Sequence, residues 1–125
     1  MVKRLHSVLF YASDLAATAD FYERCGLSVV RSDDDPVIRI TMGDFTLEFL
    51  SEQKATIKNK ASNVPKGLGI YTYVEVDDAD AHFAEIKRNG VEPSTEPKTW
   101  PWGKREFVVK DPDGFRIVFY SPVKK

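Results

Sequence analysis

The chain has 125 residues, 42% of them hydrophobic and 30% charged, with a net charge of −1. These values describe one ordinary globular domain with enough apolar material for a core. They exclude the basic stripe of a nucleic-acid binder, and the lone Cys25 excludes an internal disulfide and suits a reducing cytoplasm. The apolar run after Lys3 and Arg4 stops at Asp14, too short for a signal peptide or membrane span.

The first strand is expected over Leu5 to Ala12. Asp14 is placed to cap a helix whose apolar face is Leu15, Ala19 and Tyr22, with Phe21 and Cys25 at its flank. Gly26 is positioned as its left-handed C-cap. A strand over Leu27 to Arg31 follows, then a turn at Asp33-Asp34-Asp35-Pro36. Val37 to Met42 and Phe45 to Leu50 read as two strands joined at Gly43-Asp44. Residues 51–66 are polar, contain four lysines and lack either periodicity.

The plan then repeats. Leu68 to Val76 reads as a strand, and Asp77/Asp78 cap a helix with Ala79, Phe83 and Ile86 inward and Gly90 at its end. A short strand is expected over Val91 to Glu96. Arg105 to Lys110 and Phe115 to Tyr120 form a hairpin about Asp111-Pro112-Asp113-Gly114. A shift of 64 residues lays Ser7-Val8-Leu9-Phe10 on Tyr71-Thr72-Tyr73-Val74, and Asp14 on Asp78. A shift of 70 lays Gly43–Leu50 on Asp113–Tyr120, where both copies read Phe, apolar, Phe at alternate positions. The difference, 70 − 64 = 6 residues, is extra sequence around Pro97–Gly103.

Each half therefore reads strand, helix, three strands. The fold class is α+β: two tandem βαβββ modules (1–52 and 67–122, connector 53–66) forming a cupped mixed sheet in one domain, with helices on the outer face. Alternation assigns Phe45, Leu47, Phe49, Phe115, Ile117 and Phe119, with Val8, Phe10, Val74 and Val76, to the face under the helices. Ser7, Leu9, Tyr11, Glu48, Tyr71, Tyr73, Glu75, Val118 and Tyr120 fall on the other face, which reads as a cleft lining.

Several of these residues carry two readings. Glu48 can orient a cationic ligand, or pair across strands with Arg39. Trp100 and Trp102, stiffened by Pro101, can stack on a planar ligand, or cap the core or an interface. Tyr11, Tyr71, Tyr73 and Tyr120 can line a pocket or fill a half-wet face. Arg105 and Glu106 fall on opposite faces. His6 reads as a strand-start residue, and His82 as a boundary residue on the second helix.

The segments LHSVLFYASDL (Leu5–Leu15), FYERCGL (Phe21–Leu27), Gly69–Asp77 and WGKREFVVKDPDGFRIVFYS (Trp102–Ser121) together resemble the vicinal oxygen chelate superfamily. That superfamily comprises glyoxalase I, extradiol dioxygenases, and fosfomycin and bleomycin resistance proteins. The last segment looks most like the bleomycin-resistance branch. The resemblance implies a homodimer and, in the enzymes, a divalent metal held at four positions. Here these are Ser7, Glu48, Tyr71 and Val118, of which only Glu48 is a usual ligand; His6 falls one residue early, on the opposite face of a strand. The expectation is therefore no metal, no cofactor and no catalytic residue. The protein should sequester an aromatic or cationic small molecule, with Ser7, Leu9, Tyr11, Arg39, Glu48, Tyr71, Tyr73, Trp100, Trp102, Val118 and Tyr120 lining the site. The rival is a metal-dependent lyase, isomerase or dioxygenase of the glyoxalase type with an atypical ligand set.

Overall fold

A computed structural model describes residues 1–32, 36–54 and 66–123. The chain divides into two compact units, Met1–Val64 and Pro65–Lys125. Each holds one four-stranded mixed sheet and one helix packed on it. The expected turn residues 33–35 and most of the connector lie outside the described residues.

In the first unit, β1 (Ser7–Ala12), α1 (Leu15–Arg24), β2 (Val30–Arg31), β3 (Val37–Met42) and β4 (Phe45–Ser51) follow in order. The strands are arranged β1-β4-β3-β2, with β1 parallel to β4 and the other pairs antiparallel. Asp14 caps α1 as expected, its carboxylate accepting from the Ala17 amide at 3.1 Å. The buried helix face is Thr18, Ala19 and Tyr22. Tyr22 lies 4.9 Å from the Phe49 ring, which stacks on Phe10 at 5.0 Å. Such aromatic pairs add about 0.5–1.5 kcal/mol each beyond the burial of area.

The second unit repeats the plan with β5 (Tyr71–Glu75), α2 (Ala79–Arg88), β6 (Lys98–Thr99), β7 (Lys104–Lys110) and β8 (Arg116–Pro122), ordered β5-β8-β7-β6. Asp78 caps α2 through the Ala81 amide. Phe107 and Phe119 are fully buried beneath it, against the buried Ile86 of the helix itself. Phe83 is only half-buried, edge-on to Phe107 at 5.3 Å. His82 is half-buried, its ring 4.6 Å from Phe119.

Three expected strands change, the first being that over Leu27 to Arg31, which forms only at Val30–Arg31. The strand expected over Val91 to Glu96 does not form; β6 is Lys98–Thr99, paired antiparallel with β7. Pro93 has no amide to give to a ladder, and the segment meets β7 through Ser94 N to Val108 O at 2.8 Å and Val108 N to Thr95 Oγ1 at 2.9 Å. The strand expected from Leu68 begins only at Tyr71, because Gly67 and Gly69 take left-handed φ values of +87° and +80°.

The Asp111–Gly114 turn does more than reverse the chain. Asp111 Oδ1 accepts from the amides of Asp113 and Phe115, each at 2.9 Å. Arg116 donates to the Gly67 carbonyl at 3.0 Å, and Lys66 Nζ lies 3.5 Å from the Asp113 carboxylate. Gly67 thus rests directly on the turn backbone: a Cβ there would sit 2.0 Å from the Gly114 carbonyl oxygen. Gly67→Ala is therefore expected to cost about 2–4 kcal/mol, from left-handed strain plus overpacking. Gly43→Ala, also at positive φ but with open space around it, should cost about 1–2 kcal/mol. Urea unfolding of both variants checks the difference; equal losses would remove the interlock.

Candidate functional site

Because the aromatic rows of β4 and β8 lie under the helices, the alternate residues present the chemistry. In the first unit this face carries a hydrogen-bonded polar cluster. Arg39 and Glu48 are register partners on β3 and β4, and Arg39 Nε donates to Glu48 Oε2 at 2.9 Å. Ser7 Oγ donates to Glu48 Oε1 at 2.8 Å. The Ser7 hydrogen bond, then Arg39, hold the Glu48 carboxyl below its ordinary value of 4.5. Leu9 sits opposite Glu48 in register and is half-exposed, and Tyr11 lies further along opposite Leu50. His6 corrects one expectation. It precedes β1, so strand alternation does not aim it, and its Nδ1 lies 3.1 Å from Ser7 Oγ.

The second unit holds a concave site of about 410 Å³. Its walls are aromatic. Trp100–Gly103 closes the β6–β7 hairpin, with Gly103 N bonded to Trp100 O at 3.1 Å, Pro101 between the two indoles and Gly103 at φ +85°. That tight turn brings Trp100 and Trp102 to one side, where they stack with centroids 4.8 Å apart and planes 6° from parallel. Tyr71 and Tyr73 from β5 form the facing wall, and Val108 and Val118 line it as well. Val118 is 1% exposed, so it offers a ligand little surface.

Glu106 is the buried carboxylate of this site. It accepts long hydrogen bonds of 3.4 Å from Tyr73 Oη and Trp102 Nε1. Both are neutral donors; among the described residues no cation pairs with it. Burial first, then the Glu106 charge, push the Tyr73 phenol above its ordinary 10.0, so it remains a protonated donor. Arg105, one residue earlier, points to the helix side and grips Asp80 with two bonds of 2.7 and 3.0 Å. Tyr120 is half-buried beside the site rather than in its lining: its ring lies 5.8 Å edge-on to Tyr73 and its hydroxyl donates to Glu75 at 3.1 Å.

The site residues named from sequence thus fall into two groups, Ser7, Leu9, Tyr11, Arg39 and Glu48 on one unit and Tyr71, Tyr73, Trp100, Trp102, Val118 and Tyr120 on the other. Sequence reasoning missed Glu106 and its neighbours Lys98, Glu96 and Thr95. The signal for Glu106 was present: with Phe107 and Val109 buried under α2, alternation sends Glu106 to the face of Tyr73.

The residues at the four family metal positions do not fit a divalent ion. A divalent ion takes about three or four donors drawn from His, Cys and carboxylate. Val118 has no donor, Ser7 offers a hydroxyl and Tyr71 a phenol rather than a His, Cys or carboxylate, and both Glu48 oxygens are already engaged. No cluster of three or more His, Cys, Asp or Glu side chains placed for a metal occurs among the described residues.

The Glu48 cluster has a pH signature. Its depressed pKa means that its contribution to stability is complete above pH 4.5 and disappears as pH falls through the lower folded value. Glu48→Gln should therefore be less stable than the parent at pH 7, with the gap closing below pH 4. Chemical unfolding at both pH values measures it, and a gap independent of pH would sink the assignment.

Residues 4–119 match the family model for the glyoxalase/bleomycin resistance protein/dioxygenase superfamily. No curated protein matches the sequence. A solved structure of a glyoxalase/bleomycin resistance protein/dioxygenase from Nocardioides is 18% identical, covering 99% of this chain and 87% of that one, with a TM-score of 0.77. Lactoylglutathione lyase from Agrobacterium tumefaciens is 18% identical over 96% of this chain and 94% of its own, with a TM-score of 0.70. An integron cassette protein of V. cholerae is 21% identical over 97% and 96%, with a TM-score of 0.72. These likenesses establish the fold, and the family match establishes membership: the chain belongs to the glyoxalase/bleomycin resistance protein/dioxygenase superfamily.

Proposed function

We propose that this protein is a small-molecule-binding member of the superfamily that captures a planar aromatic compound without metal chemistry. The observation that carries this reading is the 410 Å³ site walled by the stacked Trp100–Trp102 pair and by Tyr71 and Tyr73. Rigid aromatic walls give a planar ligand large apolar contact, and the Trp and Tyr polar atoms orient it. Charge matching moves from Glu48, which Arg39 already neutralises, to Glu106, which has only neutral donors. Homodimerisation, a cytoplasmic location and a role of the resistance type belong to the same proposal. Exposed Leu68, Ile70 and Leu9 are candidates for cover by a second copy.

The chain has two tryptophans, and both line this site. Intrinsic fluorescence therefore reports its occupancy directly. Titration with a panel of aromatic metabolites and antibiotics should quench it saturably. Trp102 is half-exposed, so Trp102→Ala should leave the fold intact and weaken a quenching ligand about tenfold. Unchanged affinity would reassign the indole to packing or assembly.

The rival reading, a metal-dependent lyase or dioxygenase, requires donors that the family positions lack. Calorimetric titration of the chelator-stripped protein with Zn²⁺ and Ni²⁺ should give no stoichiometric binding tighter than micromolar. Such binding would reinstate the enzyme.

A further inference from the structure

We infer that the aromatic site selects a cation, and that Lys98 is a tethered occupant which the incoming cation displaces. The inference rests on the reading of this site as a small-molecule pocket, and it adds the charge of the ligand and the residues that select it.

Two observations point to a cation. The first is the charge balance of the lining. Among the lining residues Glu106 and Glu96 contribute two carboxylates against the one ammonium of Lys98, and the Arg116 guanidinium, 5.8 Å from the centroid of the Tyr71 ring, donates to the Gly67 carbonyl. Glu106 is the buried one of the pair, and a buried carboxylate without a cationic partner is costly unless something positive approaches it. Its two hydrogen bonds, at 3.4 Å, are long and come from neutral donors, so they do not offset its charge. The second is that an aromatic wall already holds a cation. Lys98 Nζ lies over the Trp100 ring, 4.0 Å from its centroid. An indole face attracts an ammonium through its quadrupole, and more strongly when water is excluded.

Register explains why Lys98 is there without being a partner for Glu106. The two residues are opposite each other on β6 and β7, yet the ammonium is over Trp100 and makes no ion pair with the carboxylate. The lysine lies on a two-residue edge strand and is exposed, so swinging it into water disrupts no buried packing. A planar aromatic cation entering the site would stack on the indoles and bring its charge to Glu106. It would also relieve the like-charge opposition of Lys98 by expelling it. A neutral ligand of the same shape gains the stacking alone. Glu106 is thus the specificity-determining residue, and Lys98 lowers the apparent affinity for cations by competing with them.

Benzamidinium and benzamide are near-isosteric planar probes, one cationic and one neutral. Their dissociation constants are read by tryptophan quenching and calorimetry on the full chain. Benzamidinium should bind about tenfold more tightly than benzamide. Glu106→Gln should bring the two probes to within twofold of each other. Lys98→Met should tighten benzamidinium several-fold. Equal binding of the two probes to the parent protein would overturn the selection of a cation while leaving the aromatic pocket standing. Weaker benzamidinium binding by Lys98→Met would overturn the displacement. Failure of both probes to bind would sink both the pocket and this inference. The comparison of the two probes on the parent protein, and the Lys98 variant at the exposed edge, decide the matter even where Glu106→Gln folds poorly.

Discussion

One constraint organises each unit: a ten-residue helix covers one face of a four-stranded sheet. Phe49 and Leu47 beneath α1, and Phe119, Phe107 and Ile117 beneath α2, are at most 2% exposed. Strand residues alternate between faces, so fixing those aromatics also fixes every neighbour one residue away. Glu48 between Leu47 and Phe49, and Glu106 before Phe107, are driven to the uncovered face by packing they do not touch. The placement of the polar chemistry follows from where the hydrophobic area is buried.

The two units use this constraint at different rungs. Arg39 pairs with Glu48 in the first sheet; the equivalent rung of the second pairs Val108 with Val118. Two rungs on, at the next pair on the same face, the pattern reverses, with Val37 opposite Leu50 in the first unit and Glu106 opposite Tyr120 in the second. The two units share the backbone ladder, but their carboxylates sit two rungs apart along it. The first unit resolves its charge internally, since Ser7 and Arg39 satisfy both Glu48 oxygens. The second leaves its carboxylate with phenol and indole donors only. Two copies of one fold have thereby become unequal in electrostatics, one self-neutralised and the other poised to meet an external charge.

Much of this was legible in the sequence because it depends on local rules. Asp14 and Asp78 announce helix starts through capping geometry, and the Phe-apolar-Phe rows announce their face through period two. The Arg39–Glu48 pair followed from the register of a tight hairpin. What failed was less local. Val91 to Glu96 reads as a strand by composition, yet Pro93 and the competing Thr95 hydroxyl break the ladder beside β7. His6 was judged by strand alternation although the strand begins one residue later. Glu106 was correctly assigned to the face opposite Arg105, but nothing local announces that Tyr73, distant in sequence, and Trp102 would converge on it.

The six extra residues of the second module explain why the concave site arises there. In the first unit the sequence between β2 and β3 carries Asp33-Asp34-Asp35; in the second the corresponding connection carries Trp100-Pro101-Trp102-Gly103. Pro101 and the left-handed Gly103 fold this insert into a tight turn, and two residues of separation set both indoles on one side. Their stacking leaves little rotamer freedom to lose when a ligand arrives, so the wall is preorganised. The same turn carries Trp102 Nε1 to Glu106, tying the insert to the sheet at the residue that bears the charge. Wall and charge therefore meet at the hydrogen bond from Trp102 to Glu106. A change that loosens the turn must alter the electrostatics of the site as well as its shape.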